Sequence, residues 1–306
     1  MKPSCKFPPP IEPATHPSQP SATSGPEASS YTAIPVASPA IWFFKLSTFE
    51  VVLVLGVVVL GATAIGVFLG RRVRHLSDSL KEPFGVLQAA LLGVVGLILA
   101  FGLSLAVSRY ENRRDAVVDE ANTIGTTFLR AQTLHEPMRT QSLVLLRTYA
   151  VSAVSLTNYV PGSSQALAAI DREDALQRRL WALNGRALAL QPVETAPRSY
   201  EETLNEMIDA QATRIAGLNN RVPGAVLFLE VLGAALALGL LGTYLAIVGR
   251  GVVAVSLAAV LVTGLLFVTC DLDRPTRGPI QVPDTALKAV LEEMQLPPAA
   301  PAPRAE

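Results

Sequence analysis

Polar side chains cluster around a stretch of the chain that otherwise carries a regular apolar stripe of helical spacing. The stripe is formed by Val117, Ala121, Ile124, Phe128 and Ala131. The polar residues on and before it are Ser104, Ser108, Arg109, Glu120, Asn122, Thr126 and Arg130. A hydrogen-bonded network that braces neighbouring helices would account for them. The alternative is a vestibule that selects or senses ions, with Ser104 and Ser108 lining a narrow pore.

Glu230 is a carboxyl within a long apolar run. An ionisable side chain at membrane depth is costly unless it faces protein or water, so Glu230 is a functional candidate. A position near the membrane surface would lower that cost and is the alternative.

Asp271, Asp273 and Arg274 form a charged motif directly after another apolar run. The two carboxyls could attract a cation, but the further oxygen ligands of a calcium loop are missing. We therefore favour ion pairing of these carboxyls with Arg274 or Arg277 at the membrane surface.

No motif of a known catalytic or cofactor site occurs, since the chain lacks GxSxG, Walker, GxGxxG and HExxH patterns. Its three histidines are scattered, and Cys5 and Cys270 offer neither a disulfide framework nor a metal pair. The charged run Asp171–Asp174 is interpreted as a solvated helix face. We expect no enzyme activity, no cofactor and no metal site.

Four apolar runs must position these residues, and each is long enough to cross a hydrocarbon core of ~30 Å as a helix. They cover roughly 49–70, 86–107, 224–248 and 251–270. The chain is 16% charged, against about a quarter in soluble domains, and its formal net charge is zero, which argues against nucleic-acid binding. The sequence predicts an all-α, multi-pass membrane protein with four transmembrane helices and a helical-bundle insert between the second and third.

Changes in composition divide the chain into six segments. A Pro/Ser/Ala-rich stretch buries too little apolar surface to fold, so both ends are expected to be disordered. The segments are a disordered tail (1–40), transmembrane helices 1 and 2 (41–107), a helical extramembrane domain (108–222), transmembrane helices 3 and 4 (223–270), a C-terminal segment with a short amphipathic helix (271–296) and a disordered tail (297–306).

The extramembrane domain is expected to contain four helices that pack as a bundle. The first continues out of the second span, because no Gly or Pro separates them. Pro137 begins the second, and Pro161–Ser164 stops it and caps the third. Ser199–Glu202 has the form of a capping box, which predicts a fourth helix that runs to Arg221.

Small residues recur every four positions in two of the spans. They are Ala62, Gly66 and Gly70 in the first, and Gly96, Ala100, Ser104 and Ser108 in the second. Such stripes let membrane helices approach closely, so helix packing is the prediction for both. The pore lined by Ser104 and Ser108 remains the alternative for the second span.

Positive charges in the short loops bear on orientation. They are Arg71, Arg72, Arg74, Lys81 and Arg250. Since cytoplasmic loops carry an excess of such charges, they favour an extracytoplasmic location for the helical domain.

Several segments resemble the bestrophin-like membrane family, a domain of unknown function. They are Arg109–Arg114, Glu120–Ala131, Leu145–Tyr149, Val222–Pro223 and Asp271–Pro275. The resemblance extends more distantly to the bestrophin anion channels, which are pentamers with a pore along the second membrane helix and a cytosolic helical domain. It therefore implies a cytoplasmic location for residues 108–222, against the loop charges.

We expect a homo-oligomeric channel for small inorganic ions, with anions as the class that the resemblance implies and five subunits if it is channel-like. The lipid bilayer is its other partner, and a bacterial inner (plasma) membrane its location. The alternative is a membrane-anchored sensor or scaffold whose helical domain binds a partner.

Overall fold

The computed structural model of the chain describes residues 47–73, 81–249 and 251–299. This part of the chain contains eight helices and no strand. The helices are α1 (Thr48–Val73), α2 (Lys81–Ala131), α3 (Met138–Thr157), α4 (Ser164–Leu190), α5 (Thr195–Asn219), α6 (Gly224–Val248), α7 (Val252–Leu272) and α8 (Thr285–Glu293).

Four of these helices, α1, α2, α6 and α7, are long and apolar enough to cross a membrane. The predicted all-α fold with four transmembrane helices is therefore confirmed. α1 packs against α6 and α7, and α2 packs against the same two helices. Their shared core includes Val59, Leu99, Leu238, Ala259 and Leu266. Large apolar side chains cover the outside, as expected for surfaces that face lipid.

The helix α2 is 51 residues long and passes without a break from the membrane segment into the bundle. At 1.5 Å per residue it extends over about 75 Å. Its predicted apolar stripe is buried, from Val117 to Ala131, and packs with side chains of α3, α4 and α5 such as Leu146, Leu180 and Leu204. The predicted continuity of this helix is confirmed. The membrane part and the bundle therefore share one helix.

The start of α4 agrees with the sequence analysis, whereas the start of α5 does not. Ser163 caps α4, because its Oγ accepts a hydrogen bond from the Ala166 backbone N–H at 3.2 Å. Helix α5 already begins at Thr195, so the capping box predicted at Ser199–Glu202 is wrong. Pro197 explains the difference, because proline is tolerated in the first turn of a helix, and the helix therefore begins before it.

The short C-terminal helix α8 is found where it was predicted. Leu287 and Met294 are buried in the bundle core, and α8 contacts α2 and α3. The Arg147 guanidinium donates hydrogen bonds to the Met294 carbonyl at 2.9 and 2.6 Å. These contacts hold the segment after the fourth span against the bundle.

Two glycines with positive φ flank the turn between α6 and α7. Gly249 has φ 83° and Gly251 has φ 91°, a region that other residues rarely adopt. Arg250 between them, Arg74 and the predicted tail over 1–40 lie outside the described residues, as do residues 300–306 of the C-terminal tail.

Candidate functional site

One face of α2 is exposed from its membrane segment into the bundle. Its residues recur three or four positions apart, so they fall on one side of the helix. They are Gly93, Leu97, Ala100, Ser104, Ser108, Glu111, Asp115, Val118, Asn122 and Thr126. We call this set the α2 stripe. It contains four of the residues that the sequence analysis selected, namely the two serines, Asn122 and Thr126.

The chemistry of the α2 stripe changes along the helix. Small and apolar residues come first, then the hydroxyls of Ser104 and Ser108, then the carboxyls of Glu111 and Asp115. From Ser104 to Asp115 the helix rises by about 16 Å. On such a surface the serine hydroxyls can hydrogen-bond to the water around an ion, and the carboxyls can attract a cation. The sequence analysis missed Glu111 and Asp115, although both continue the spacing of the serines.

The comparable stripe on α1 is packed. A Cβ added at Gly66 or Gly70 would collide with the backbone carbonyl oxygens of Gly239 and Thr243 on α6. The Thr243 hydroxyl also donates a hydrogen bond to the Gly66 carbonyl at 3.1 Å. The packing prediction is thus confirmed for the first span. On α2, by contrast, a Cβ added at Gly93 or Gly96 meets no described atom within 4 Å.

Glu120 lies on the buried face of α2, away from the stripe. Its carboxylate forms an ion pair with Arg214 of α5, and its Oε1 accepts a hydrogen bond from the Tyr149 hydroxyl at 3.0 Å. Arg214 also donates to the Ala153 carbonyl at 2.8 Å. A buried ion pair needs such additional hydrogen bonds to offset its desolvation. These contacts join Glu120 to α3 and α5 and support the bracing interpretation for this residue.

The network continues to α4 through two glutamines. The Gln177 side-chain amide donates to Gln211 Oε1 at 3.0 Å, and the Gln211 amide donates to Glu173 Oε2 at 3.0 Å. Glu173 has no exposed surface, so the solvated helix face predicted for Asp171–Asp174 is wrong at this residue. Its spacing from Leu176 and Leu180, three and seven residues on, places it on the buried face and could have revealed this.

Burial alters the acidity of two members of this network. Desolvation, followed by the nearby negative charge of Glu120, raises the pKa of Glu173 to about 7. The same two causes raise the pKa of Tyr149 well above its ordinary value of 10.0. The tyrosine therefore stays protonated and remains a hydrogen-bond donor to Glu120, whereas Glu173 can change its charge near neutral pH.

Arg109 and Arg130 join α2 to the helical segment around α5. Arg109 donates a hydrogen bond to the Asn220 side chain. Arg130 donates to the Ser199 carbonyl at 2.6 Å and to Glu202 at 3.3 Å. Both guanidinium groups are directed toward this neighbour, so these contacts support the bracing interpretation for the two arginines.

Arg113 is the residue that organises the C-terminal motif, and the sequence analysis missed it. Its guanidinium donates to Asp273 Oδ1 at 3.1 Å and to the Leu272 carbonyl at 3.0 Å. Asp273 thus forms an ion pair with Arg113, a partner that the sequence analysis did not name. The pairing predicted with Arg274 or Arg277 stays a prediction. Arg113 lies three and four residues before buried Ala116 and Val117, a signal that it faces the interior.

The two aspartates also hold backbone around the motif. Asp273 accepts a hydrogen bond from the Val222 N–H at 3.0 Å, and Asp271 accepts one from the Ile280 N–H at 3.0 Å. Burial raises the pKa of Asp273, and the hydrogen bond from Val222 opposes that rise. With Arg274 also buried, the motif connects the end of α7 to the start of α6. Among the described residues no group of three metal-binding side chains is found.

Glu230 is buried between membrane helices and does not reach the α2 stripe. It is 1% exposed, and its carboxyl lies against Gly102 of α2. Gly102 is two residues before Ser104, which is about 200° around the helix. The absence of a side chain at Gly102 makes room for the carboxyl on the side of α2 that faces away from Ser104.

Known proteins share this arrangement of helices. A crystal structure of a bacterial bestrophin homologue from Klebsiella pneumoniae, phased with zinc, superposes with a TM-score of 0.56 at 12% identity over 77% of this chain and 96% of its own. A variant of that homologue gives 0.57 at 13% identity, over 77% and 97%. A further membrane protein variant gives 0.58 at 13% identity, over 81% and 97%. At such identities the likeness concerns the fold.

Comparison with curated proteins finds no match. A family model described as the Bestrophin-like domain matches residues 42–287, most of the chain. The resemblance drawn from the segments around Arg109, Glu120 and Asp271 is thereby confirmed, and the protein belongs to the Bestrophin-like family.

Proposed function

We propose that the protein is a homo-oligomeric ion channel in which α2 lines the pore. The α2 stripe is the observation that carries this proposal. A membrane helix that faces only lipid exposes large apolar side chains, as α1 does with Phe49, Leu53 and Ile65. Helix α2 also exposes large apolar side chains, among them Leu97 and Phe101. Its α2 stripe differs from the exposed face of α1 because it adds the hydroxyls of Ser104 and Ser108 and the carboxyls of Glu111 and Asp115. Such a line is suited to water and to further copies of the chain.

Arranging copies around an axis with the α2 stripe inward turns each stripe position into a ring. Leu97 then forms an apolar ring that can close by excluding water. Ser104 and Ser108 form weakly polar rings, and Glu111 and Asp115 form acidic rings near the mouth. The family membership and the fold shared with bacterial bestrophin homologues support this arrangement, and the bestrophin resemblance implies five subunits.

We infer that the channel favours cations, because the charges on the α2 stripe itself are those of Glu111 and Asp115. Rings of carboxylates concentrate cations and repel anions. Two arginines of the same region, Arg109 and Arg130, are directed toward the α5 side. Anions, which the resemblance implies, are the alternative.

The proposed activity is transport through a bilayer and not catalysis. The proposed location is a bacterial inner membrane, with residues 108–222 as the extramembrane domain. The four apolar helices support a membrane location in general.

Mass measurement and ion flux test this function together. We expect the complex, purified in detergent or nanodiscs, to have the mass of a ring, and we expect liposomes containing it to conduct. A monomer, or flux equal to that of empty liposomes, would contradict the channel.

Reversal potentials in a salt gradient then test the ion class. We expect cation preference in the wild type and a shift toward no preference in Glu111→Gln combined with Asp115→Asn. The control is Glu206→Gln, an exposed carboxyl on α5 outside the α2 stripe. An anion-selective wild type would overturn the cation proposal and leave the channel standing.

A further inference from the structure

The buried network of the bundle holds more acidic than basic side chains. Glu120 and Glu173 are fully buried, and the basic residue beside them is Arg214, which pairs with Glu120. Half-buried Asp174 adds a further carboxyl at the edge, where it accepts from the Gln211 amide at 3.3 Å. Since Arg214 is paired with Glu120, Glu173 has no ion pair of its own among the described residues.

Each helix packed near Glu173 contributes to its surroundings. α2 provides Glu120, α3 provides Tyr149, and α5 provides Gln211 and Arg214. Its own helix adds Asp174. Among these groups only Arg214 is positive, and it is shared.

One oxygen of Glu173 has a hydrogen-bond donor and the other has none. Oε2 accepts from the Gln211 amide at 3.0 Å, whereas Oε1 has no hydrogen-bond partner in the described part of the chain. When a buried carboxylate accepts a hydrogen bond from only one neutral donor, most of its desolvation cost is not offset. The uncharged acid loses less hydration energy, and Oε1, to which no group donates in the described part of the chain, is the oxygen that can carry the proton.

We propose that Glu173 and its buried network form a proton-binding site that regulates the pore by changing how firmly α2 is held. The regulatory clause rests on the proposed channel function. An ionised Glu173 competes with Glu120 for Arg214, and protonation ends that competition. The pair between Glu120 and Arg214 then holds α2 against α5 more strongly. Glu120 lies on the same unbroken helix as Ser104, about 24 Å away along its axis.

The direction of the pH effect follows from the raised pKa of Glu173. The folded protein holds this proton up to about pH 7, whereas the unfolded chain releases it near the ordinary value of 4.5. The stability that the proton contributes is thus fully present below 4.5 and is lost as the pH rises through about 7.

Thermal unfolding of the full chain in detergent tests the proton-binding site. Over the range from about pH 5 to about pH 8.5 we expect the wild type to lose several degrees of Tm. Glu173→Gln should remove most of this loss, because the amide does not ionise. Asp171→Asn, an exposed carboxyl on the same helix, is the matched control and should follow the wild type.

Equal pH dependence of Tm in the wild type and Glu173→Gln would overturn the site. If the glutamine variant fails to fold, Glu173→Met takes its place, since methionine needs no hydrogen bond and adapts to irregular spaces. A flat Tm profile in the methionine variant supports the site, and an unchanged profile overturns it.

Flux through liposomes at the same pH values tests the regulation. We expect the flux of the wild type and of Asp171→Asn to change with pH and that of Glu173→Gln to stay level. Flux with the same pH profile in all three would overturn the regulation while the channel stands. If none of them conducts, the channel proposal fails, and the unfolding measurement decides the proton-binding site by itself.

Discussion

Two stripes of small residues with the same spacing have different environments in this protein. On α1, Ala62, Gly66 and Gly70 are covered by α6, and the backbones of the two helices touch. On α2, Gly96, Ala100, Ser104 and Ser108 have the same spacing, and Ala100 and the two serines are exposed. A small-residue stripe therefore indicates that close approach is possible, but it does not indicate which surface, if any, approaches.

The partner surface accounts for the difference. Helix α6 presents Gly239 and Gly242 toward α1, so both helices lack side chains where they meet. Within the described ranges no comparable helix covers the exposed face of α2, which continues into hydroxyls and carboxyls. The α1 stripe thus serves packing within the chain, whereas the α2 stripe is available for water, ions or a second copy.

The largest expected effect is on the packed stripe. Gly66→Leu should destabilise the protein by about 3 kcal/mol or more, because its Cβ would meet the α6 backbone, which cannot move aside as a side chain can. Detergent solubility and thermal unfolding, read by size-exclusion chromatography, measure this loss. A variant as stable as the wild type would mean that α1 and α6 are not packed closely.

The matched change on the α2 stripe should leave the fold intact. Gly93→Leu has open space around the new side chain, and leucine favours a helix over glycine by up to about 1 kcal/mol. We expect Tm to be unchanged or slightly higher, with most of the ion flux lost because leucine narrows the proposed pore. Normal flux in a correctly folded Gly93→Leu would show that this face does not line a conduction path.

The smallest effect concerns one hydrogen bond between α1 and α6. Thr243→Val keeps the volume but removes a hydroxyl that donates to the Gly66 carbonyl of α1 at 3.1 Å and to the Gly239 carbonyl of its own helix at 2.9 Å. Hydrogen bonds between membrane helices average about 0.6 kcal/mol. Equilibrium unfolding in mixed detergent micelles can resolve this difference. Thr263→Val on α7 is the control, since that hydroxyl donates to Ala259 of its own helix. Equal losses in both variants would argue against a specific contribution from the α1–α6 contact.

Regular spacing made most of the helical framework predictable. The apolar stripe from Val117 to Ala131 and the unbroken passage out of the second span gave α2 correctly. The segment Pro161–Ser164, which ends one helix and caps the next, correctly predicted the start of α4. These features depend on neighbours a few residues apart, which is the range over which sequence patterns act.

The sequence analysis did not predict which charged residues are buried. Glu173 was assigned to a solvated face because its neighbours in sequence are charged, and Arg113 was not identified as the partner of Asp273. Both contacts join residues of different helices. Of the candidates, Ser104 and Ser108 are on the exposed stripe, Glu120 is in the bracing network, and Glu230 is behind α2.

The sequence by itself determined that this chain forms helices, that four of them are apolar enough for a bilayer and that one extends far beyond it. The length of an apolar run and the helical spacing of its residues are local properties. A helix that crosses the hydrocarbon core needs a long apolar run, and its backbone hydrogen bonds must be made within the helix. Only the tertiary structure decided which face of α2 is covered, which carboxyl pairs with Arg214 and why the pKa of Glu173 is raised. Those outcomes depend on desolvation and on distances between helices far apart in sequence.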